Sequence, residues 1–136
     1  MDEKKDLHIG LKAELEEIVS KKNIASTLAS GGLDVYATPA MITLMERASF
    51  TAVRDYLPEG CSTVGTLVNI KHNSASPLGA KIIAQALLKE IDGRRLVFSV
   101  RAFNGDDLIG EGLHERFIIN NEKFMAKIGL NKNPAE

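Results

Sequence analysis

Three polar side chains, Thr38, Glu46 and His72, occur where the local sequence pattern predicts burial among apolar residues. A hydroxyl, a carboxylate and an imidazole supply a hydrogen-bond donor, a base or nucleophile, and a group that exchanges protons near neutral pH. Acyl transfer and proton transfer both require groups of these kinds. The elements that carry the three residues therefore decide whether they can act together.

Thr38 and Pro39 predict the start of a long helix, with Thr38 as the N-cap and Pro39 at the first helical position. The helix is expected to end near Tyr56, ahead of a proline and a glycine. At about 100° per residue, Glu46 falls inside the broad apolar arc of this helix. Thr38 and Glu46 are then about 12 Å apart along the axis, so a substrate or water would have to lie between them.

A carboxylate that is buried, charged and unpaired is costly, so Glu46 must be paired, hydrogen bonded, solvated or protonated. An ion pair with Arg47 or Arg116 is one explanation, and a stem that reaches water at the helix edge is another. On its own strand, Arg116 is most simply a solvated side chain. No role is assigned to His114.

Alternating apolar and polar residues predict a first strand near 11–20, with Glu17 as the exception, and a strand near 62–72 with His72 on its more apolar face. Gly65 in that strand indicates a bulge or a close approach by a ligand or another chain. Asp-Gly and Asn-Gly pairs predict two later hairpins, whose strands are 79–91, 95–103 and 108–119.

The order of one strand, one long helix and four antiparallel strands predicts an α+β fold, with a sheet of about five strands wrapped around one central helix. We expect a single domain over residues 1–136. Its expected parts are an N-terminal tail at 1–10, a lid-like loop at 21–37 and a C-terminal helix or tail at 120–136.

Composition narrows the function classes. The 17 Lys and Arg residues balance 18 Asp and Glu residues without a basic cluster, which argues against nucleic acid as a partner. The single Cys61 fits a reducing, cytoplasmic compartment, and Cys and His never occur at zinc-like spacings. We expect no metal, no cofactor, no export signal and no membrane segment.

Several motifs together resemble the hotdog-fold acyl-CoA thioesterase group that includes fluoroacetyl-CoA thioesterase. They are Thr38-Pro39 with Glu46 seven residues after the proline, Val64-Gly65 with His72 seven residues after the glycine, then P-x-G, D-G-R and G-x-G-x-H-x-R. The resemblance covers roughly residues 11–125.

The resemblance implies a hotdog subunit of a homodimer, with tetramers possible, that hydrolyses an acyl-CoA thioester. Coenzyme A enters only as part of the substrate. The matching catalytic positions are Thr38, Glu46 and His72, and the matching substrate-binding positions are Gly65 and Arg116. Glu46 would activate water or attack the carbonyl, and His72 would orient the thioester or protonate the thiolate.

The fluoroacetyl-CoA enzyme closes its pocket with phenylalanines ahead of the Thr-Pro position, whereas this chain has STLASGGLDVY there. The resemblance therefore predicts a short or medium acyl group other than fluoroacetyl. Two alternatives stay open. One is a non-catalytic module that binds acyl-CoA or an apolar carboxylate, and the other is a hotdog-type hydratase or dehydratase.

Overall fold

The computed structural model describes residues 6–129. Its helices and strands, in chain order, are β1 (Lys12–Ile18), α1 (Ala25–Leu28), α2 (Thr38–Arg54), β2 (Cys61–His72), β3 (Lys81–Asp92), β4 (Arg95–Asn104), β5 (Asp107–Asn120) and α3 (Asn121–Gly129). The strands that alternation and hairpin signals predict are all present, because period-two patterning and Asp-Gly or Asn-Gly turns are strong local determinants.

The five strands form one antiparallel sheet in the order β1-β3-β4-β5-β2, so β1 and β2 are its edges. The inner face of the sheet packs against α2, which contacts all five strands. The predicted α+β hotdog architecture is confirmed. The fully buried side chains of the core come from both layers and include Met41, Leu44, Met45, Val53, Ile82, Leu88, Leu96, Phe98 and Ile109.

Two glycines of β5 allow the layers to meet. A Cβ at Gly110 would lie 2.5 Å from the sulfur of Met41 on α2, and a Cβ at Gly112 would lie 2.1 Å from the carbonyl oxygen of Asn69 on β2. Both distances are too short for any side chain. The glycines of the G-x-G-x-H-x-R motif therefore set how closely β5 approaches the helix and the edge strand.

The start of α2 differs from the prediction. Ala37 is the N-cap and makes no side-chain capping bond, while Thr38 is already the first helical residue. The hydroxyl of Thr38 has a partner elsewhere, which is described below. The helix also ends at Arg54 rather than near Tyr56, because the N–H of Tyr56 turns back to the carbonyl of Val53 at 2.9 Å.

A bulge in β2 changes which residues share a face. Gly65 pairs with Arg116 and Val68 pairs with His114, so one extra residue lies between Gly65 and Leu67. Residues seven apart on a regular strand point to opposite faces. Because of the bulge, Gly65 and His72 instead share the inner face, toward α2. The alternation in the sequence had put Gly65 on the face opposite His72, and that assignment is wrong.

The predicted lid at 21–37 contains α1, and an isolated bridge between Ile24 and Tyr36 joins its two ends. A second bridge, from Val35 to Pro77, and the N–H of Tyr36, which donates to the carbonyl of Ser76 at 2.9 Å, attach it to the segment after β2. Residues 1–5 of the expected N-terminal tail and residues 130–136 of the expected C-terminal segment lie outside the described residues. The division into one domain with these parts stays a prediction.

Candidate active site

Thr38 and His72 are in direct contact. The first turn of α2 and the last residue of β2 place Thr38 Oγ1 2.7 Å from His72 Nδ1. Thr38 is exposed at the helix start, so the expectation that it is buried is wrong. The pair gives one half of the predicted site a hydroxyl and an imidazole within hydrogen-bond distance of each other.

The other ring nitrogen of His72 is available for a further bond. Nε2 is buried and has no hydrogen-bond partner among the described residues. Burial lowers the pKa of His72 below its usual 6.5, and the backbone of Ser74 opposes this in part. His72 is therefore neutral at pH 7. If the Thr38 hydroxyl donates to Nδ1, then Nε2 carries the ring proton and can donate a hydrogen bond.

Tyr36 packs against His72 in this half of the site. Its ring meets the ring of His72 edge to face at 6.5 Å between centroids, and its hydroxyl donates to Glu17 Oε2 on β1. Tyr36 is fully buried. Burial and the bond to Glu17 raise the pKa of the Tyr36 hydroxyl, which stays protonated. Glu17, the exception to the alternation of β1, is thus explained by its tyrosine partner.

A cavity of about 320 Å³ opens beside Thr38 and His72. The lid forms one wall and the turn after β2 forms the other. Its lining consists of Ala25, Ser30, Gly31, Gly32, Leu33, Val35, Tyr36, Thr38, His72, Asn73, Ser74 and Ala75. The only aromatic side chain besides the histidine is Tyr36, so most of the wall is made of small residues.

Glu46 lies further along α2, at a second group of residues. Its side chain is 38% exposed, so the predicted burial is only partial, and its Oε2 is 4.0 Å from Arg116 Nη1. The same oxygen would be 3.0 Å from a Cβ at Gly65. Gly65 therefore leaves room for this carboxylate. The glycine also stands at the bulge that the sequence indicated, while a close approach by a ligand or another chain stays a prediction. Arg116, and not Arg47, is the ion-pair partner.

Arg116 is 8% exposed, which overturns its interpretation as a solvated strand residue. Its Nε donates to Thr63 Oγ1 at 2.7 Å and its Nη2 donates to the carbonyl of Thr63 at 2.9 Å. Its Nη1 lies 3.2 Å from His114 Nε2. Burial lowers the pKa of Arg116 and Glu46 opposes this. The guanidinium is thus fixed by protein groups and points at Glu46.

The structure joins the predicted site residues into two groups and does not bring the two groups into contact. Thr38 with His72 forms the first, and Glu46 with Gly65 and Arg116 forms the second. Glu46 is eight residues after Thr38 on α2, which separates the groups by about 12 Å along the axis. A substrate that engages both groups must therefore bridge them.

Three contributors were missed by the sequence reasoning, namely Glu17, Tyr36 and His114. Glu17 broke the alternation of β1, and that break was its signal. Strand parity places His114 on the same face as Arg116, but nothing in the sequence indicated a role for it. Over residues 6–129, no cluster of three or more His, Cys, Asp or Glu side chains could hold a metal ion. No helix in that range is long and apolar enough to cross a membrane.

Comparisons with known proteins identify the family of the chain. The family model described as fluoroacetyl-CoA-specific thioesterase matches residues 19–122. A fluoroacetyl-CoA thioesterase of Streptantibioticus cattleyicolor is 42% identical over 102 residues, which cover 75% of this chain and 73% of that protein.

Solved structures give the same relationship. A fluoroacetyl-CoA thioesterase structure superposes with a TM-score of 0.86 at 32% identity, covering 93% of this chain and 98% of that one. A thioesterase superfamily member from Thermus thermophilus superposes with a TM-score of 0.83 at 26% identity, covering 96% of this chain and 94% of that one. The chain therefore belongs to the fluoroacetyl-CoA-specific thioesterase family, a family of hotdog-fold thioester hydrolases.

Proposed function

We propose that this protein hydrolyses an acyl-CoA thioester to a carboxylic acid and coenzyme A, with Thr38, Glu46 and His72 as its catalytic residues. The observation that carries the proposal is the pairing of Thr38 with His72 beside a cavity whose buried His72 Nε2 has no described partner. Family membership supports the same reaction class. Gly65 and Arg116 complete the proposed site around Glu46.

In the proposed reaction, Glu46 either takes a proton from water, whose oxygen then attacks the thioester carbon, or attacks that carbon itself. The developing oxyanion is stabilised by backbone N–H donation from Gly65. The C–S bond then breaks, and the proton that Glu46 took from water passes through solvent to the departing thiolate. Neutral His72, oriented by Thr38, donates a hydrogen bond from Nε2 that orients the thioester. In the route where Glu46 attacks, water then hydrolyses the acyl–Glu46 anhydride, which frees the carboxylic acid, restores the carboxylate and supplies the proton for the thiolate. Arg116 Nη1 lies 4.0 Å from Glu46 Oε2 and holds that carboxylate in place, a positioning role beside the substrate-binding role that the resemblance implies.

The acyl group is proposed to be short or medium in length and different from fluoroacetyl. The support is the lining of the 320 Å³ cavity, in which Gly31, Gly32 and Leu33 stand in the lid and no phenylalanine occurs. Small residues leave volume that an acyl chain can fill, and burial of each CH₂ contributes about 0.8 kcal/mol.

Release of free thiol from a series of acyl-CoA substrates tests the proposal. We expect thiol release by the wild type and higher kcat/KM for short or medium acyl chains than for fluoroacetyl-CoA. A clear preference for fluoroacetyl-CoA over acetyl-CoA would overturn the acyl assignment. Binding without thiol release would indicate a non-catalytic module, and loss of enoyl absorbance without thiol release would indicate a hydratase.

A homodimer joined along β2 is also proposed. Strand β2 is an open edge of the sheet, and its residues from Gly65 to Asn69 are all exposed, including Leu67 at 42% and Val68 at 45%. Exposed apolar edge strands are usually covered by another chain. We expect light scattering to give twice the 14.8 kDa chain mass, and a monomer mass would contradict the proposal. The cytoplasmic location stays a prediction.

A further inference from the structure

His114 is a fully buried histidine that the proposed reaction does not use. It stands on the inner face of β5, next to the ring of Phe98 at 6.4 Å between centroids. Its Nδ1 is 2.8 Å from the carbonyl oxygen of Leu67, which follows the bulge of β2. Because a carbonyl only accepts hydrogen bonds, this contact assigns the proton to Nδ1.

With Nδ1 protonated, the Nε2 atom of a neutral ring is an acceptor. Arg116 Nη1 lies 3.2 Å from it, and a guanidinium only donates. The same Nη1 also forms the ion pair with Glu46 Oε2, at 4.0 Å. Two hydrogen-bond contacts thus join Leu67 to His114 and His114 to Arg116, and the longer ion pair extends this path to Glu46.

Charges of both signs act on His114, and its hydrogen bond to the Leu67 carbonyl favours the protonated form. Arg116 faces it from its own strand, while Glu46 on α2 and Glu115 on β5 act in the opposite sense. Burial, more than any of these groups, lowers the pKa of His114. A protonated His114 would lose its acceptor and place a second cation against Arg116.

We propose that His114 is a positioning residue, which holds Arg116 through its Nε2 atom and thereby holds the carboxylate of Glu46 over Gly65. This inference rests on the proposed role of Glu46 as base or nucleophile. His114 does not touch the substrate, and its effect passes through the orientation of the guanidinium.

Two substitutions of His114 separate its two hydrogen bonds. The amide of His114→Asn can replace Nδ1 as donor to Leu67 but does not reach Arg116. The oxygen of His114→Gln can replace Nε2 as acceptor for Arg116. We expect kcat to fall about 10- to 100-fold in His114→Asn with little change in KM, as for a small misplacement of a reacting group. His114→Gln should retain more of kcat.

If His114 had only a structural role, kcat would fall in proportion to the loss of thermal stability in each variant. It would then not matter which of the two hydrogen bonds the variant keeps. Phe98→Leu is the matched control, since it alters the same buried contact without changing a hydrogen bond. Equal kcat in His114→Asn and His114→Gln, at equal unfolding temperature, would overturn the proposal. A kcat of His114→Asn equal to that of the wild type would do the same.

A double-mutant cycle with Arg116→Lys tests the path itself. If His114 acts through Arg116, His114→Asn should have little further effect on kcat once Arg116→Lys is present, because the forked donor is already gone. Additive effects on the activation free energy would contradict the proposal.

A measurement without substrate separates this inference from the proposed function. The carboxyl ¹³C signal of Glu46, assigned by its loss in Glu46→Gln, is measured by NMR in the free protein at one fixed pH. We expect its chemical shift to change in His114→Asn and not in Phe98→Leu, because only the first substitution releases Arg116. An unchanged chemical shift in His114→Asn would overturn the positioning role even if the wild type hydrolyses thioesters. A changed chemical shift in a protein that releases no thiol would overturn only the proposed reaction.

Discussion

Glu46→Gln lowers kcat by about 10³-fold in our expectation, because the amide can neither accept a proton from water nor attack a thioester carbon. The substitution keeps the size and shape of the side chain, so KM should change little. The 38% exposure of Glu46 and its 4.0 Å separation from Arg116 describe a partly solvated ion pair. Its loss should therefore cost little stability.

Thiol release under substrate saturation and thermal unfolding are measured on the same preparations. Glu59→Gln is the matched control, since Glu59 is exposed in the turn after α2 and has no place in the proposed site. A kcat for Glu46→Gln within tenfold of the wild type would remove Glu46 from the reaction, provided that the control is also unaffected.

His72→Ala is expected to lower kcat by about 10²-fold, as for the loss of one hydrogen-bond donor to the reacting group. The substitution removes both the partner of Thr38 and the buried Nε2 atom that has no described partner. His8→Ala is the control, because His8 is exposed and lies outside the proposed site. Equal kcat in the two variants would contradict the assignment of His72.

His72→Ala should also change how the free energy of unfolding depends on pH. Burial lowers the pKa of His72 in the folded protein below 6.5, so the unfolded chain binds the proton at a higher pH. The stability that this contributes is present above about pH 6.5 and is lost as pH falls through the folded pKa. His114 contributes in the same direction.

Unfolding temperatures are therefore compared at about pH 7.5 and about pH 5, on either side of the ordinary histidine pKa. We expect the decrease in Tm on acidification to be smaller in His72→Ala than in the wild type or His8→Ala. A decrease as large as that of the wild type would show that His72 is not held neutral by burial.

Local patterning predicted the elements of this fold well. Each strand boundary follows from a period of two or from a turn dipeptide, and α2 follows from its apolar arc and the Thr-Pro start. The N-cap assignment of Thr38 failed for a non-local reason. The cap preference of threonine is worth only about 1 kcal/mol, and the fold brings His72 to the same hydroxyl.

The contacts in the group of Glu46, Gly65 and Arg116 could not be predicted from the sequence, and the reason is again non-local. Arg116 is buried because Thr63 on the neighbouring strand and His114 on its own strand satisfy its donors. That pairing depends on the register of β2 against β5. The bulge after Gly65 sets this register, and simple alternation cannot reveal an extra residue.

Tyr36 connects the two edge strands of the sheet by a single side chain, in addition to the packing of α2 on both strands. Glu17 belongs to β1 and His72 ends β2, and these strands are the two opposite margins of the sheet. One buried aromatic side chain touches residues of both margins. Tyr36 thus links β1 to β2 at the proposed site. Glu17 does not line the cavity, yet its substitution would alter the support of His72 through Tyr36. A residue on the opposite edge strand therefore limits which changes the acyl pocket can tolerate during evolution.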